Sequence, residues 1–417
     1  MKKTNQLYIN VNSYSINKFL IFLVLFMERN PIFARNNMIQ WPILGIVLLF
    51  FLIELFSTDR IINDIFFLWI CLFSFIVVMS VAWAYDTSRT IRDMLFLVKC
   101  IVILGHVLYI IKKDKNLTYI FDCVILSTLI NDLVMLPYLL RMGSASGYRE
   151  RIFIGGINYN ANAICPDIVF ATLFLFYRYT NLKKNRVLNI GMIMLNCFAL
   201  LKLGSRSSLI VLLVGFVING LNVSKSKRVK NIFLGCIIMI AALGAVMYIP
   251  SFYNTIGNRI LDTLSFVKGN LNVNNYNQNS DLVRMNLIIN GFDMFIKNPI
   301  IGYGSGNFSS VNSLFFNSNY YAHNNYIELL VGLGVFGTLL FYWIHIRIIL
   351  KKYKPGGSRR IFFLGKELII CSLVLDLMDV TYNVLGFQLI ILIAYVCCFI
   401  YIDDEEDFRH EKNIICT

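Results

Sequence analysis

The sequence predicts an all-α polytopic membrane protein with about twelve transmembrane helices and one large extracytoplasmic loop. Of the 417 residues, 57% are hydrophobic and only 15% are charged, whereas soluble domains are roughly half apolar and about a quarter charged. The net charge of +14 comes from basic residues in short clusters between apolar runs, which is the pattern of topology signals rather than of a nucleic-acid-binding face. We therefore expect membrane lipid, and no nucleic acid, around the chain.

Apolar runs of roughly 20 residues, long enough to cross a bilayer, recur along the chain. The first follows Lys2 and Lys3 and resembles a signal peptide, but no small-residue cleavage site follows, so we interpret it as a membrane helix. The predicted spans lie near residues 18–34, 40–57, 64–85, 94–111, 118–140, 159–178, 187–204, 207–221, 231–249, 324–349, 361–380 and 384–402. We treat residues 1–417 as a single membrane domain.

The lysine-rich clusters predict the orientation of these spans. With twelve spans, the clusters and both termini fall on one side, and the positive-inside rule assigns that side to the cytoplasm. The clusters occupy residues 2–3, 112–115, 183–186, 225–230 and 351–360.

Cations on the opposite, outer side are mostly arginines. Arginine binds phosphate and carboxylate groups in a two-point geometry that lysine lacks, so this excess favours an anionic ligand. The alternatives are anchoring at helix ends and pairing with nearby acidic residues such as Asp86, Asp93 and Glu150. The outer arginines are Arg29, Arg35, Arg89, Arg92, Arg141, Arg149, Arg151, Arg206, Arg259 and Arg284. Ten cysteines lie mostly inside apolar runs and show no metal-site spacing, so we expect no metal.

Residues 250–323 form the predicted extracytoplasmic loop. Apolar residues recur every three or four positions over residues 281–298, which predicts an amphipathic helix with Ser280 as its N-cap and Pro299 as its stop. Gly302, Gly304 and Gly306 follow. Alternate glycines permit either a tight turn or an anion-binding loop, and no strand or Lys-Ser/Thr motif supports the second reading.

His323 is the candidate catalytic residue. It is the one histidine of four that the predicted topology places at the outer mouth of the bundle, directly before an apolar helix. A near-neutral pKa makes histidine the usual general base for a hydroxyl, although a histidine at a helix start can also be a structural cap. Further charges lie inside the predicted spans and should face a partner or a cavity, namely Glu54, Lys99, Asp122, Asp132 and Asp167.

Four patches resemble the O-antigen polymerase and O-antigen ligase superfamily of bacterial membrane proteins. The most specific is His323-Asn324 followed after nine residues by Gly334-x-x-Gly337. The other three are Gly155–Asn162, the Gly204-Ser-Arg206-Ser-Ser hairpin, and Arg284 with Asn298-Pro-Ile-Ile-Gly302-Tyr-Gly304. Together they extend from about Arg149 to Tyr342.

The resemblance implies a GT-C-like inverting glycosyltransferase that needs no metal or cofactor. It implies that a glycan carried on undecaprenyl diphosphate reacts at the outer face of the bacterial cytoplasmic membrane. His323 would then activate an acceptor hydroxyl, and Arg206 and Arg284 would bind the diphosphate. From the excess of outer arginines we add Arg89, Arg149 and Arg151 as further substrate contacts.

Three functions stay open at this stage. We favour a polymerase of surface polysaccharide (O-antigen or capsule), for which a chain-length regulator protein is a possible partner. A ligase that transfers finished polymer to lipid-A core shares the same motifs. A flippase for lipid-linked oligosaccharide is the third, and it predicts internal repeats that the sequence does not show.

Overall fold

The computed structural model describes residues 13–34, 36–57, 61–141, 152–154, 157–181, 185–222, 244, 246–257, 260–261, 263, 280–355 and 357–400. Its helices are α1 Ser13–Arg29, α2 Pro31–Ala34, α3 Asn37–Ser57, α4 Ile65–Ser80, α5 Thr87–Asp114, α6 Thr118–Arg141, α7 Ala161–Asn181, α8 Arg186–Leu203, α9 Arg206–Asn222, α10 Pro250–Phe252, α11 Ser280–Lys297, α12 Phe308–Phe316, α13 Asn325–Leu350, α14 Arg359–Asp376 and α15 Leu385–Phe399. The described residues also include a 3-10 turn at Val81–Trp83 and a π-helical turn at Tyr253–Gly257. Within these ranges the only strands are β1 Ile152–Ile154 and β2 Ile157–Tyr159, which pair antiparallel.

The helices confirm an all-α membrane protein. A helix occupies eleven of the twelve predicted spans, namely α1, α3 to α9 and α13 to α15. The ninth predicted span, 231–249, lies mostly outside the described residues. Seven of the described helices are long and apolar enough to cross a bilayer by length and composition. The count of twelve stays a prediction.

Burial separates the helices at the centre of the bundle from those at its edge. Helix α15 is central, because every side chain from Phe387 to Cys398 is buried. Helix α3 lies at the edge and leaves apolar side chains such as Leu49 and Ile53 exposed. An apolar helix with an exposed apolar face is suited to contact with lipid, because water would not favour that surface.

Four charged side chains that the sequence placed inside spans have partners on other helices. Burying a charge without a partner is costly in a bilayer, so these pairs fix which helices are neighbours. The pairs are Glu54–His106 at 2.6 Å, Asp122–Arg178 at 2.6 Å, Lys99–Glu28 at 2.8 Å and Asp167–Arg29 at 3.2 Å. The fifth, Asp132, is fully buried on α6.

Helix α13 is broken at Gly334, where φ is 63° and ψ is −166°. A Cβ atom at this position would lie 2.2 Å from the carbonyl oxygen of Ile300, so only glycine fits. The backbone groups freed by the break are taken up by the preceding loop, since Tyr303 donates to the Val331 carbonyl and Val335 donates to the Pro299 carbonyl, each at 2.9 Å. Residues 299–306 therefore lie across the break as a packed turn.

The three glycines of this turn have positive φ values of 65°, 92° and 72° at Gly302, Gly304 and Gly306. A Cβ atom at Gly306 would lie 2.8 Å from Oδ2 of Asp93 on α5. The close approach to α5 and α13 supports the tight-turn reading of the glycines.

Helix α11 lies against the start of α13. Its buried residues Leu287 and Met294 pack with Phe308 and Ile327 in a small apolar cluster. The opposite face of α11 leaves four apolar side chains exposed, namely Met285, Ile289, Phe292 and Ile296. We call the end of the bundle that carries α11 and His323 the His323 end.

Candidate functional site

His323 sits in the turn that leads into α13. Its φ is 52°, a left-handed conformation that non-glycine residues rarely adopt and that often marks functional positions. Asn324, not His323, caps the helix, because its side chain accepts from the Ile327 amide at 3.0 Å. The imidazole is therefore not the helix cap. Its Nδ1 atom is buried and has no hydrogen-bond partner among the described residues.

Glu328 holds the turn before the helix in place. Its carboxylate accepts a hydrogen bond of 3.2 Å from the Ala322 amide, while its own amide donates to the Asn324 carbonyl at 3.0 Å. This is close to a capping box, in which an acidic residue of the first turn reaches back to an amide before the helix. The contact restrains the backbone beside His323 and thereby helps to fix the direction in which the helix starts.

The ring of His323 is kept neutral by its surroundings. Its half-buried position disfavours the charged form, and the positive charge of Arg284 adds to this, so the pKa is lowered to about 4. The ring of Tyr321 packs against the imidazole with 3.8 Å between centroids. A neutral imidazole with an unpartnered Nδ1 can accept a proton or a hydrogen bond from a ligand hydroxyl.

A polar cleft of about 530 Å³ opens beside this turn. Side chains from five elements line it, including Arg89, Asn162, Ser309, Tyr321, Glu328 and Asp379. His323 is not itself a lining residue, and it reaches the cleft through Tyr321, whose ring it contacts. The cleft therefore brings together cations, carboxylates and amides beside an imidazole.

Asp379 is the functional candidate that sequence reasoning missed. The span predicted at 361–380 would have placed it inside a helix, but α14 ends at Asp376 and Asp379 lies in the following turn. Its carboxylate is hydrogen-bonded to the Tyr321 hydroxyl, and Arg284 is a nearby positive charge. Burial nevertheless dominates and raises the pKa of Asp379 to about 6. The sequence did carry one signal for this site, because the carboxylates of Asp376 and Asp379 lie three residues apart at the end of an apolar span.

The hydroxyl of Tyr321 joins two sides of the cleft. It is hydrogen-bonded to Asp379 and to the side chain of Asn162 at the start of α7. Its pKa is raised, chiefly by burial, so the hydroxyl stays protonated and can donate. Asn162 belongs to the segment 155–162, one of the four patches that resemble the O-antigen polymerase and ligase superfamily. The patch therefore meets the His323 turn in space.

Arg284 and Arg206 differ in their surroundings. Arg284 projects from the first half of α11, and its charge acts on Tyr321, His323 and Asp379. Within the part of the chain that the structure describes, no carboxylate forms an ion pair with it. Arg206 instead donates two hydrogen bonds to Asp281, at 2.7 and 2.9 Å, and one of 3.0 Å to Ser280.

Three further arginines, Arg89, Arg149 and Arg151, were predicted as substrate contacts. Arg89 lines the cleft, pairs with Asp86 at 3.3 Å and donates to the Ser309 hydroxyl. Arg89 therefore forms the ion pair with Asp86 that the sequence offered as an alternative to ligand binding, and it still lines the cleft. Arg149 and Arg151 lie outside the described residues. Among those residues, no three His, Cys, Asp or Glu side chains are grouped to hold a metal ion.

The architecture defines a multi-pass membrane protein with a polar site at one end of its helix bundle. Residues 191–342 match a protein family described as O-antigen ligase. This match supports the resemblance of that part of the chain to the O-antigen ligase and polymerase superfamily, and with the apolar helices it points to a bacterial membrane protein. A comparison with curated proteins found no match.

The matched region contains Arg206, Arg284 and His323 but not the whole cleft. Arg89 and Asn162 come before it and Asp379 comes after it. The site therefore combines side chains from the matched region with side chains from both flanking parts of the chain.

Proposed function

We propose that this protein is a bacterial surface-polysaccharide polymerase that joins undecaprenyl-diphosphate-linked oligosaccharide repeats at the outer face of the cytoplasmic membrane. The observation that supports this proposal most is that the charge of Arg284 acts on His323 and on Tyr321 and Asp379, two residues that line the polar cleft. An unpartnered imidazole nitrogen and an arginine without a carboxylate partner among the described residues match the two needs of the reaction. One is a proton acceptor and the other a binder of phosphate oxygens.

The proposed reaction is an inverting glycosyl transfer. An acceptor hydroxyl oxygen bonds to the anomeric carbon of the donor sugar, on the face opposite to the leaving group. The bond from that carbon to the diphosphate oxygen breaks, and the diphosphate leaves with the bonding electron pair. The hydroxyl proton passes to Nδ1 of His323. Arg284 stabilises the developing charge, a contribution of about 3 kcal/mol for one aligned donor in comparable sites.

Substrate binding should make His323 a better base. Burial is the larger cause of its low pKa, and the charge of Arg284 is the second. A diphosphate beside Arg284 offsets that charge, so the pKa of the imidazole rises towards its ordinary value when the donor is bound. The proton acceptor is thereby strengthened in the complex that needs it.

Asp379 supports this arrangement through Tyr321 and Arg284. Its hydrogen bond with the Tyr321 hydroxyl holds the ring that packs on His323, and its negative charge balances that of Arg284. A carboxylate can also serve as the base in this chemistry. If Asp379 is the base, Asp379→Asn should lose activity at every pH. If it only holds Tyr321 and balances Arg284, the variant should keep much of the activity and lose only the decline near pH 6.

A purified-protein assay tests the proposal. Full-length protein with lipid-linked repeats should lengthen the glycan without any added nucleotide or metal, and His323→Asn should stop that growth. Release of undecaprenyl diphosphate should match the number of bonds formed. A protein that moves lipid-linked repeats across a vesicle membrane without forming bonds would instead support the flippase reading.

The ligase is the second candidate, because the matching family is described as O-antigen ligase. In a ligase the acceptor is lipid-A core, whereas in a polymerase it is another lipid-linked repeat. Cells without the protein distinguish these reactions. We expect single-repeat glycan on the cell surface; full-length polymer retained on the lipid carrier would support the ligase.

The proposed orientation places both termini in the cytoplasm and the His323 end outside. Single cysteines introduced for labelling test it, with an impermeant reagent on whole cells. A cysteine at Tyr320 should be labelled, since its side chain is exposed at the His323 end, whereas one at Lys354 should be protected.

A further inference from the structure

Two smaller cavities adjoin the cleft. One of about 330 Å³ lies between α1, α5, α7 and α15, and one of about 250 Å³ lies between α1, α3 and α5. The cleft and the first of these share Asn160 and Asn383 as lining residues. The two smaller cavities share Glu28, Phe96 and Lys99. The 250 Å³ cavity also shares Arg92 with the cleft, so each of the three spaces adjoins the other two. We call the 330 Å³ space the middle cavity and the 250 Å³ space the apolar cavity.

The middle cavity is lined by an arginine whose hydrogen-bonding capacity is unused. The side chain of Arg29 is 3% exposed. Its three guanidinium nitrogens are buried and have no hydrogen-bond partner in the described part of the chain. Asp167 lies 3.2 Å from Nη2 and supplies charge, but not a hydrogen bond of good geometry. Buried donors left without acceptors are costly, so this position favours a ligand with several acceptor oxygens.

Lys99 is the second cation of the middle cavity. It pairs with Glu28 at 2.8 Å, which leaves two of its three ammonium hydrogens for other acceptors. The charged groups that face the cavity are therefore two cations and the two carboxylates that hold them, Glu28 and Asp167. A phosphate group in this cavity would be attracted by both cations, and the carboxylates would moderate the attraction so that the ligand can leave.

The apolar cavity is suited to a hydrocarbon chain. Seven of its eleven lining residues are aliphatic or aromatic, namely Val24, Met27, Trp41, Ile43, Leu44, Leu95 and Phe96; the others are Glu28, Gln40, Arg92 and Lys99. It lies beside α3, the edge helix, whose Trp41 also lines it and is 60% exposed. A chain in this cavity can continue into the surrounding lipid past α3 without meeting a charged side chain of that helix.

The cationic positions follow one face of α5. Arg89, Arg92 and Lys99 are spaced by three and seven residues, which keeps them on one side of a helix. At 1.5 Å per residue they cover about 15 Å along the axis. This path connects the apolar cavity to the cleft beside His323.

We propose that the three cavities form the acceptor subsite of the transferase. The polyprenyl chain lies in the apolar cavity, its diphosphate beside Arg29 and Lys99, and its oligosaccharide in the cleft, with the attacking hydroxyl at His323. The donor diphosphate occupies a separate position at Arg284. This inference rests on the proposed function and deepens it, because an acceptor carried on a lipid diphosphate defines a polymerase and not a ligase.

The number of bound lipids tests the subsite without requiring turnover. Full-length protein, mixed with undecaprenyl diphosphate, is measured by native mass spectrometry. We expect the wild type to bind two molecules and Leu44→Trp, which fills the apolar cavity, to bind one. Leu48→Trp is the matched control, because Leu48 lies one turn further along α3, is 40% exposed and does not line the cavity. It should bind two.

A paired substitution tests the middle cavity while limiting the risk of misfolding. Arg29→Gln together with Asp167→Asn removes both charges of the pair and should weaken the second binding event at least tenfold. Arg284→Gln should instead remove the other lipid. Retention of both lipids by the pocket variants would overturn the subsite. Equal displacement of the second lipid by phosphatidylglycerol would also overturn it, because a general phospholipid site would then be present.

These outcomes separate the subsite from the proposed function. A protein that binds two lipids, loses one in the pocket variants and forms no glycosidic bond would retain the subsite and refute the polymerase. A protein that lengthens glycans while the pocket variants keep wild-type binding would retain the polymerase and refute the subsite.

Discussion

The guanidinium group of Arg206 and the carboxylate of Asp281 meet in two parallel hydrogen bonds, Nη2 to Oδ1 at 2.7 Å and Nη1 to Oδ2 at 2.9 Å. Burial works to raise the pKa of Asp281, but the hydrogen bond and charge of Arg206 outweigh it, with help from Thr263, and the pKa is lowered. The pair joins the start of α9 to the first turn of α11. Because Arg284 follows on that helix, Arg206 helps to position Arg284.

Arg206→Ala should lower both stability and transfer activity. Loss of a hydrogen-bonded charge pair of this kind costs about 2 kcal/mol, which a thermal-unfolding measurement in detergent can detect. The double variant Arg206→Ala with Asp281→Ala should regain most of the stability, since no charge is left unpaired. If the double variant also regains activity, Arg206 acts through position. If it stays inactive, Arg206 touches the diphosphate as well. An unchanged melting temperature in the single variant would contradict the structural role.

Replacing His323 should remove activity without unfolding the protein. Asparagine is the suitable substitution, because it tolerates the positive φ of this position, whereas alanine adds strain of about 1 kcal/mol. We expect glycosyl transfer by His323→Asn to fall roughly 10²- to 10⁴-fold, the usual contribution of a general base. Tyr320→Phe, at an exposed neighbouring position, is the control and should behave as wild type. Full activity of the asparagine variant would refute the assignment of the base.

The pH dependence of kcat/KM should show the ionisation of Asp379. The pKa of this carboxyl group is raised to about 6, so it is ionised above that pH and loses its charge as the pH falls through it. The pKa of His323 is about 4, so the imidazole stays neutral over the same interval. We expect activity to decline below about pH 6 in the wild type. In Asp379→Asn this decline should disappear, and the remaining one should lie near the pKa of His323. A decline near pH 6 that persists in the variant would contradict the role of Asp379.

Arg284 should matter for catalysis more than for folding. No carboxylate among the described residues pairs with it, so Arg284→Lys should leave the melting temperature nearly unchanged. Lysine keeps the charge but loses the two-point contact with phosphate, so we expect an intermediate loss of kcat. Arg284→Gln should lose about 10²- to 10³-fold, as for removal of one donor to a developing charge. Equal activity of the lysine variant and the wild type would show that charge alone suffices.

Gly334→Ala should destabilise the His323 end severely. The position combines a φ of 63° with a Cβ site 2.2 Å from the Ile300 carbonyl oxygen, and such strain costs of the order of 3 kcal/mol. Gly191→Ala is the matched control, because a Cβ atom at this site on α8 meets no atom within 4 Å. Its helix should gain up to about 1 kcal/mol. Similar melting temperatures for the two variants would contradict the packing of residues 299–306 against α13.

Hydropathy was sufficient to locate most helices, since a bilayer demands long apolar segments whatever their neighbours are. It was also sufficient to single out His323, because polar residues at the ends of such segments are few. Hydropathy could not predict which charged residues of different helices form ion pairs. The pairing of Arg29 with Asp167 joins residues more than a hundred positions apart, and nothing in either segment specifies the other.

Asp379 escaped prediction for a different reason. Its surroundings are apolar enough to extend the predicted span to residue 380, while the helix stops at Asp376. The carboxylate of Asp376 accepts from Tyr342 at 2.9 Å and also from the Thr381 hydroxyl, and this local hydrogen bonding replaces the next helical turn. Side-chain competition of this type is set by tertiary contacts, so a periodicity argument does not detect it.

The break at Gly334 divides α13 into two segments, and residues 299–306 pack against the helix at the break. Backbone hydrogen bonds tie residues 299–303 to both sides of the break, to Val331 before it and to Val335 directly after it, and the helix continues from there to Leu350. A change in bilayer thickness should tilt the helix beyond Val335 more than the part before Gly334, because the packed turn restrains that part. We therefore expect the spacing between His323 and Arg284 to change little with the lipid composition of the membrane.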